Sequence, residues 1–253
     1  MSLKWLALLT TMMVLTSVVG TITGGNSLIN VPLLITLGMA PRQAVATNMF
    51  QVTFMALSAT VRFARGGHIK TQMLLPLGLI TAATSALGAL LTVKLPETTV
   101  KVVVGVSMAA LVVFMAVYRQ SAGPRVISSR RRSLGYAAAT ALGVYGGLFS
   151  GGYTTLMTVL CVVALGLSLM ESVAITKPIN LISCVAACAV FFAGGLIDLR
   201  VGLPLAGANL LGGWMGAHIA IKQGDKFIRV LFLATVTALA AKLLVWDLLL
   251  NRT

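Results

Sequence analysis

The chain has 253 residues, 58% of them hydrophobic and 9% charged, with a mean hydropathy of +0.99 and a formal charge of +14. A soluble domain carries about 25% charged residues, so this composition excludes an ordinary water-soluble domain and defines an all-α polytopic membrane protein. The basic excess has no aromatic or base-reading motif beside it, which excludes nucleic acid as a partner.

Apolar stretches of spanning or near-spanning length run over 3–19, 43–61, 73–93, 98–118, 134–149, 172–193, 201–221 and 227–249, against about 20 residues needed to cross a bilayer. The first, preceded by Lys4, has the look of a secretory signal. A similar run at 134–149 leads into a similar glycine motif deep inside the chain, so 3–19 is read as a structural element.

Next stands Gly20-Thr-Ile-Thr-Gly24-Gly25-Asn26, followed by an apolar run at 27–38. About 12 residues at 1.5 Å each give some 18 Å, too short to span. The run therefore reads as a half-helix or re-entrant segment. Glycines let the backbone turn sharply and leave amide N–H groups bare at the start of the next helix, where the dipole favours an anion. The plainer alternative is that small residues only let helices pack closely.

The helix that follows carries Thr47, Asn48 and Gln51, polar side chains expected to face the bundle interior. After it, Arg65-Gly-Gly-His-Ile-Lys70 forms a basic turn. Residues 119–133 hold Arg119, Arg125, Arg130, Arg131 and Arg132 and no acid, so the positive-inside rule makes this linker cytoplasmic and brings anionic membrane lipid to it.

Beyond the linker, Gly147-Leu-Phe-Ser-Gly151-Gly152-Tyr153 repeats the glycine motif, again before a short run at 153–166. The next helix contains Thr176, Lys177 and Asn180, with Pro178 freeing a backbone carbonyl. An ionisable residue in a core helix is a functional candidate, although a lysine one turn below the surface can also snorkel. Cys161, Cys184 and Cys188 read as packing residues, and no metal or cofactor is expected.

The chain thus contains itself twice. Gly20, Gly24 and Gly25 recur as Gly147, Gly151 and Gly152 at a shift of 127. Val45-Ala46, Gly66-Gly67, Ile69, Pro76-Leu77 and Gly88-Ala89 recur at a shift of 128. The expected organisation is membrane repeat 1 over 1–118, the linker 119–133 and membrane repeat 2 over 134–253, each repeat with a glycine-broken or re-entrant short helix, around a central site. Charge leaves parallel and inverted arrangements open; opposed half-helices favour the inverted one.

The residues of that site are expected to be Gly24, Gly25, Asn26, Thr47, Asn48, Gln51, Gly151, Gly152, Tyr153, Thr176, Lys177 and Asn180, binding a small anion. Only five acids exist, Glu97, Glu171, Asp198, Asp225 and Asp247, all near helix ends or loops. Glu171 is the candidate for proton coupling, with an acid at a helix N-terminus as its plain structural alternative. Protons can also travel on the substrate itself.

Taken together, Gly24-Gly25, Val31-Pro32, Ala46-Thr47-Asn48, the Gly66-Gly67-His68-Ile69 turn and the recurrence of these features resemble the TauE/SafE family, the sulfite exporter group of membrane permeases. The resemblance runs from about Leu9 to Leu244. It implies a secondary transporter of small sulfur-containing anions, such as sulfite or sulfonates, driven by the proton gradient in the cell inner membrane. A passive anion channel is the alternative within transport. An intramembrane hydrolase built on Ser150-Gly151 and His218 is disfavoured, because Ser150 has Thr23 as its counterpart and Leu148 stands where such a motif needs glycine. A homodimer is allowed by this reading and not required by it.

Overall fold

The computed structural model describes residues 3–69, 71–117 and 127–250. Among them are nine helices and no strand: α1 Leu3–Thr23, α2 Asn26–Thr36, α3 Pro41–Arg65, α4 Thr71–Lys94, α5 Glu97–Val117, α6 Ser129–Leu148, α7 Tyr153–Leu165, α8 Leu169–Ala193 and α9 Leu199–Leu250. Three of these, over Pro41–Arg65, Gln72–Lys94 and Leu169–Ala193, are long and apolar enough to cross a membrane. Of the expected linker, Arg119 and Arg125 lie outside the described residues, while Arg130, Arg131 and Arg132 form the first turn of α6.

Polarity is arranged for a nonpolar solvent. Leu75, Leu79 and Leu87 on α4, and Val102, Val106 and Val113 on α5, are exposed, whereas Asn26, Asn30, Asn48, Gln51, Lys177 and Asn209 are buried. Lipid tails satisfy exposed leucine and valine but cannot satisfy an amide, so the amides turn inward.

The short helices are the returning limbs of two hairpins. Asn26 of α2 packs on Gly20 of α1, and Thr16 of α1 donates to Asn30 of α2 at 3.3 Å, so the two helices run antiparallel. In the second hairpin, Gly135 near the start of α6 faces Ala164 at the end of α7. The turns are narrower than the sequence motifs: α1 continues through Gly20 and α6 through Gly147. These two glycines are points of close helix approach, and the chain breaks only around Gly24 and at Ser150–Gly152. Gly24 has φ 87° and Gly152 φ 76°, a left-handed backbone that glycine adopts without steric cost.

The long helices cross between the halves of the chain. α4 packs along α6 and α8, and α9 along α1 and α3. A Cβ on Gly147 would collide with the backbone of Ser85, and one on Gly88 with the backbone of Val144. Helix α3 and helix α8 run antiparallel, since Thr53 meets Cys188 at 3.5 Å while Ala59 and Phe63 share one buried cluster with Val173 and Ala174.

Two ends follow from these contacts. At one, Gly66 lies by Ile221 and the Met170 amide donates to Asp225. At the other, Arg42 pairs with Glu97 at 2.5 Å and the Asp198 amide donates to Thr47. Sequence periodicity separates 201–221 from 227–249, and the structure divides α9 between the same two runs. It is broken only at Gly224, whose φ of 72° and ψ of −170° suit no other residue.

Candidate functional site

The two hairpin turns meet inside the bundle. Ser27, in the first turn of α2, shares a 2.7 Å hydrogen bond with Ser150, just before α7. Asn48 on α3 donates to Ser27 at 2.8 Å and reaches Ser150 at 3.3 Å. From the other side, Thr155 donates to the Thr23 carbonyl at 2.6 Å and Thr154 to the Gly24 carbonyl at 3.3 Å. The hydroxyls of α7 thus cap the last carbonyls of α1, which lost their helical partners at the break. Both short helices present their N-termini, and so their positive dipole ends, to this shared interior.

A line of hydroxyls leads from there into α8. Thr158 donates to the Thr154 carbonyl at 2.7 Å and lies 3.4 Å from the Thr176 hydroxyl. Lys177 is the next residue, 1% exposed. It shares a helix face with Val173, one turn before it, and Asn180, almost one turn after. Val173 belongs to the same buried hydrophobic cluster as Ile22 of α1, the residue before Thr23. Among the described residues the only ion pair is Arg42–Glu97, so the Lys177 ammonium faces no carboxylate there.

Several buried polar atoms of the expected set have no hydrogen-bond partner among the described residues: both amide atoms of Gln51, Asn48 Oδ1, Asn180 Nδ2 and the Tyr153 hydroxyl. Buried polar groups are nearly always satisfied, so these are atoms with capacity left for a ligand.

Other expected residues have different duties. Asn26 is fully engaged, donating to Asn209 Oδ1 at 2.9 Å and accepting from Asn30 at 3.0 Å. Thr47 accepts the Asp198 amide at 3.0 Å, away from the turns. The Tyr153 ring lies against Gly146, in a core with Met157 and Ile179. The Gly151 carbonyl accepts from Tyr145 at 2.5 Å, and a Cβ on Gly25 would meet its neighbours at ordinary van der Waals contact, 3.7 Å or more away. Glu171 forms a capping box with Ser168 at the start of α8.

Sequence reading missed Ser27, Asn30, Thr154, Thr155, Thr158 and Asn209. The Thr154–Thr158 spacing of four, in a short apolar run, was the available signal. Ser150 and His218 do not form a nucleophile and base: Ser150 bonds Ser27 and Asn48, while His218 lies on the exposed face of α9, 3.0 Å from Arg62.

An all-helical bundle with apolar outer faces and two broken hairpins opposed around a buried polar interior has the architecture of a membrane transporter. Comparison with known proteins agrees. Residues 9–243 match the family Sulfite exporter TauE/SafE, and the chain belongs to that family.

Among relatives, a probable membrane transporter protein ORF9 of Sinorhizobium sp is 30% identical over 228 residues, covering 89% of this chain and 87% of the relative. A probable membrane transporter protein of Haemophilus influenzae is 29% identical, covering 90% and 89%. The probable membrane transporter protein YfcA of Escherichia coli K12 is 26% identical, covering 89% and 84%. No solved structure matches the chain.

Proposed function

We propose that the protein is a multi-pass, inner-membrane secondary transporter that exports a small sulfur-containing anion, sulfite or a short sulfonate, in a proton-linked cycle. The carrying observation is the meeting of two helix N-termini, joined through the Thr154–Thr158–Thr176 hydroxyls to the helix that carries Lys177, which is buried and has no ion-pair partner among the described residues. Two positive dipole ends and one ammonium in a water-poor interior favour an anion over a cation or a neutral solute. Tetrahedral and pyramidal oxyanions present several acceptor oxygens, matching the amide donors of Gln51 and Asn180 that have no partner among the described residues.

The halves 1–118 and 134–253 are read as inverted repeats. The antiparallel run of α3 and α8, and the crosswise packing of α4 and α9 on opposite halves, support this. Inverted halves that rock about a fixed site give alternating access.

Reconstituted vesicles test the function. Sulfite, methanesulfonate or thiosulfate is expected to accumulate against its gradient when a pH gradient is imposed, and a protonophore is expected to abolish accumulation. Equilibration without pH dependence makes the protein a passive anion channel, and no movement of any of these anions overturns the reading.

A further inference from the structure

Carboxylates are the usual carriers of a coupled proton through a membrane, and every acidic side chain described here is committed at a helix end. Glu97 is paired with Arg42. Glu171 accepts the Ser168 amide within its capping box. Asp198 accepts the amides of Arg200 and Val201, and Asp225 that of Met170. Lys177 differs from all of them. It lies inside α8, is 1% exposed and has no ion-pair partner among the described residues.

Among the described residues, the helices packed on α8 place no counter-charge within ion-pair reach of it. The charged residues of α3 are Arg42, Arg62 and Arg65, near its ends. Those of α4 and α6 are Lys94, Arg130, Arg131 and Arg132, also near ends. α7 carries no charge and contributes Tyr153 and Cys161 as its titratable groups, while α8 adds Cys184 and Cys188. On α9, Asp198 and Arg200 stand by its start, His218 is exposed, and Lys222, Asp225, Lys226 and Arg229 flank the break at Gly224.

We infer that Lys177 is the proton carrier: its amine is neutral while the site is empty, and it takes up one proton as the anion binds beside it. This rests on the anion site proposed above. An ammonium with no opposite charge is poorly tolerated away from water, whereas an ammonium beside an anion is a neutral pair. The step balances. A free amine, one proton and one anion become an ammonium–anion pair, with one N–H bond formed. If the substrate arrives as its conjugate acid, its O–H bond breaks and the proton moves to the amine. No net charge then enters the interior, and anion and proton leave the cell together, driven by the anion's own outward gradient and not by proton entry.

The test uses the purified full chain and methanesulfonate, an anion that stays ionised near neutral pH, so any proton taken up belongs to the protein. Titration calorimetry in buffers of different ionisation heat counts protons per anion. The expected result is an uptake that approaches one proton per anion as pH rises, with affinity falling about tenfold per pH unit over that range. Lys177→Arg, whose guanidinium stays charged, is expected to bind with no uptake and a flat pH profile. Glu171→Gln, which preserves the capping box, is expected to keep the uptake.

Binding by the parent without proton uptake overturns the inference and leaves the anion site standing. Uptake that persists in Lys177→Arg, or disappears in Glu171→Gln, also overturns it. Absence of binding by the parent to methanesulfonate, sulfite and thiosulfate overturns the site and the inference together. The parent measurement decides the matter even if Lys177→Arg fails to fold.

Discussion

Ser27 and Ser150, 123 residues apart in sequence, share a 2.7 Å hydrogen bond where the two broken hairpins meet. Each hydroxyl also touches the Asn48 amide. The three side chains belong to α2, the α6–α7 turn and α3, so the contact fixes the relative position of three separate elements.

A double-mutant cycle on this pair is the first prediction. Ser27→Ala and Ser150→Ala each leave the partner's hydroxyl with only Asn48, and the double variant removes the pair together. The double variant is expected to cost less than the sum of the singles, with a coupling of about 0.5–1.5 kcal/mol. Thermal unfolding in detergent measures it. Simple additivity would mean that the two hairpins do not hold each other.

The second prediction separates ligand access from packing among the glycines. A Cβ on Gly25 meets atoms no closer than 3.7 Å, at ordinary contact. Gly88 has no such room: its Cβ would strike the Val144 carbonyl. Gly25→Ala is therefore expected to give parent-like amounts of folded protein with anion affinity lowered about tenfold or more, roughly 1.4 kcal/mol. Gly88→Ala is expected to lose folded protein. Parent-like anion affinity in Gly25→Ala would remove the bared amides from the site.

How much of this was legible in the sequence can be argued from these glycines. Gly24 and Gly152 were visible because a doubled glycine before an apolar run too short to span marks a break in the backbone. Gly20 and Gly147 look the same in sequence yet lie inside helices, because a close helix contact and a turn both select for a missing Cβ. Asn48 and Lys177 stood out as polar residues in apolar helices. Asn209, which accepts from both Ser17 at 2.6 Å and Asn26, did not, since its helix is rich in small residues and lacks a motif. The crosswise packing of α4 and α9 leaves no local trace, because an apolar helix face carries no label for its partner.

Orientation gives the third prediction. Arg65, the start of α6 and the start of α8 lie at one end of the bundle, and Ala40 and Gly195 at the other. In a chain whose native cysteines are replaced, Ala40→Cys is expected to react with a membrane-impermeant thiol reagent on intact cells. Ser128→Cys is expected to react only after permeabilisation, as the positive-inside rule requires of the arginines beside it. The reverse pattern would invert the protein in the membrane and, with it, the assigned direction of transport.

The last prediction sets stability against binding at Lys177. Lys177 has no carboxylate partner among the described residues, so on folding its amine must either carry an unpaired charge or give up its proton, and both lower the stability of the folded state. At a shift of 128 its position corresponds to Met49, which is 1% exposed in a hydrophobic core. Lys177→Met keeps an unbranched side chain of similar length and removes the charge. It is expected to raise the unfolding temperature in detergent, as polar-to-apolar changes at binding sites often do.

The same change removes a charge-assisted hydrogen bond to the anion, worth about 1.5–3 kcal/mol, and is expected to weaken binding by about ten-fold to more than a hundred-fold. Lys226, exposed beside the break in α9, is the control. Lys226→Met is expected to leave affinity and unfolding temperature close to those of the parent. A lysine kept only for packing would show the first effect without the second, so a stabilised Lys177→Met that still binds anion as well as the parent would remove Lys177 from the site.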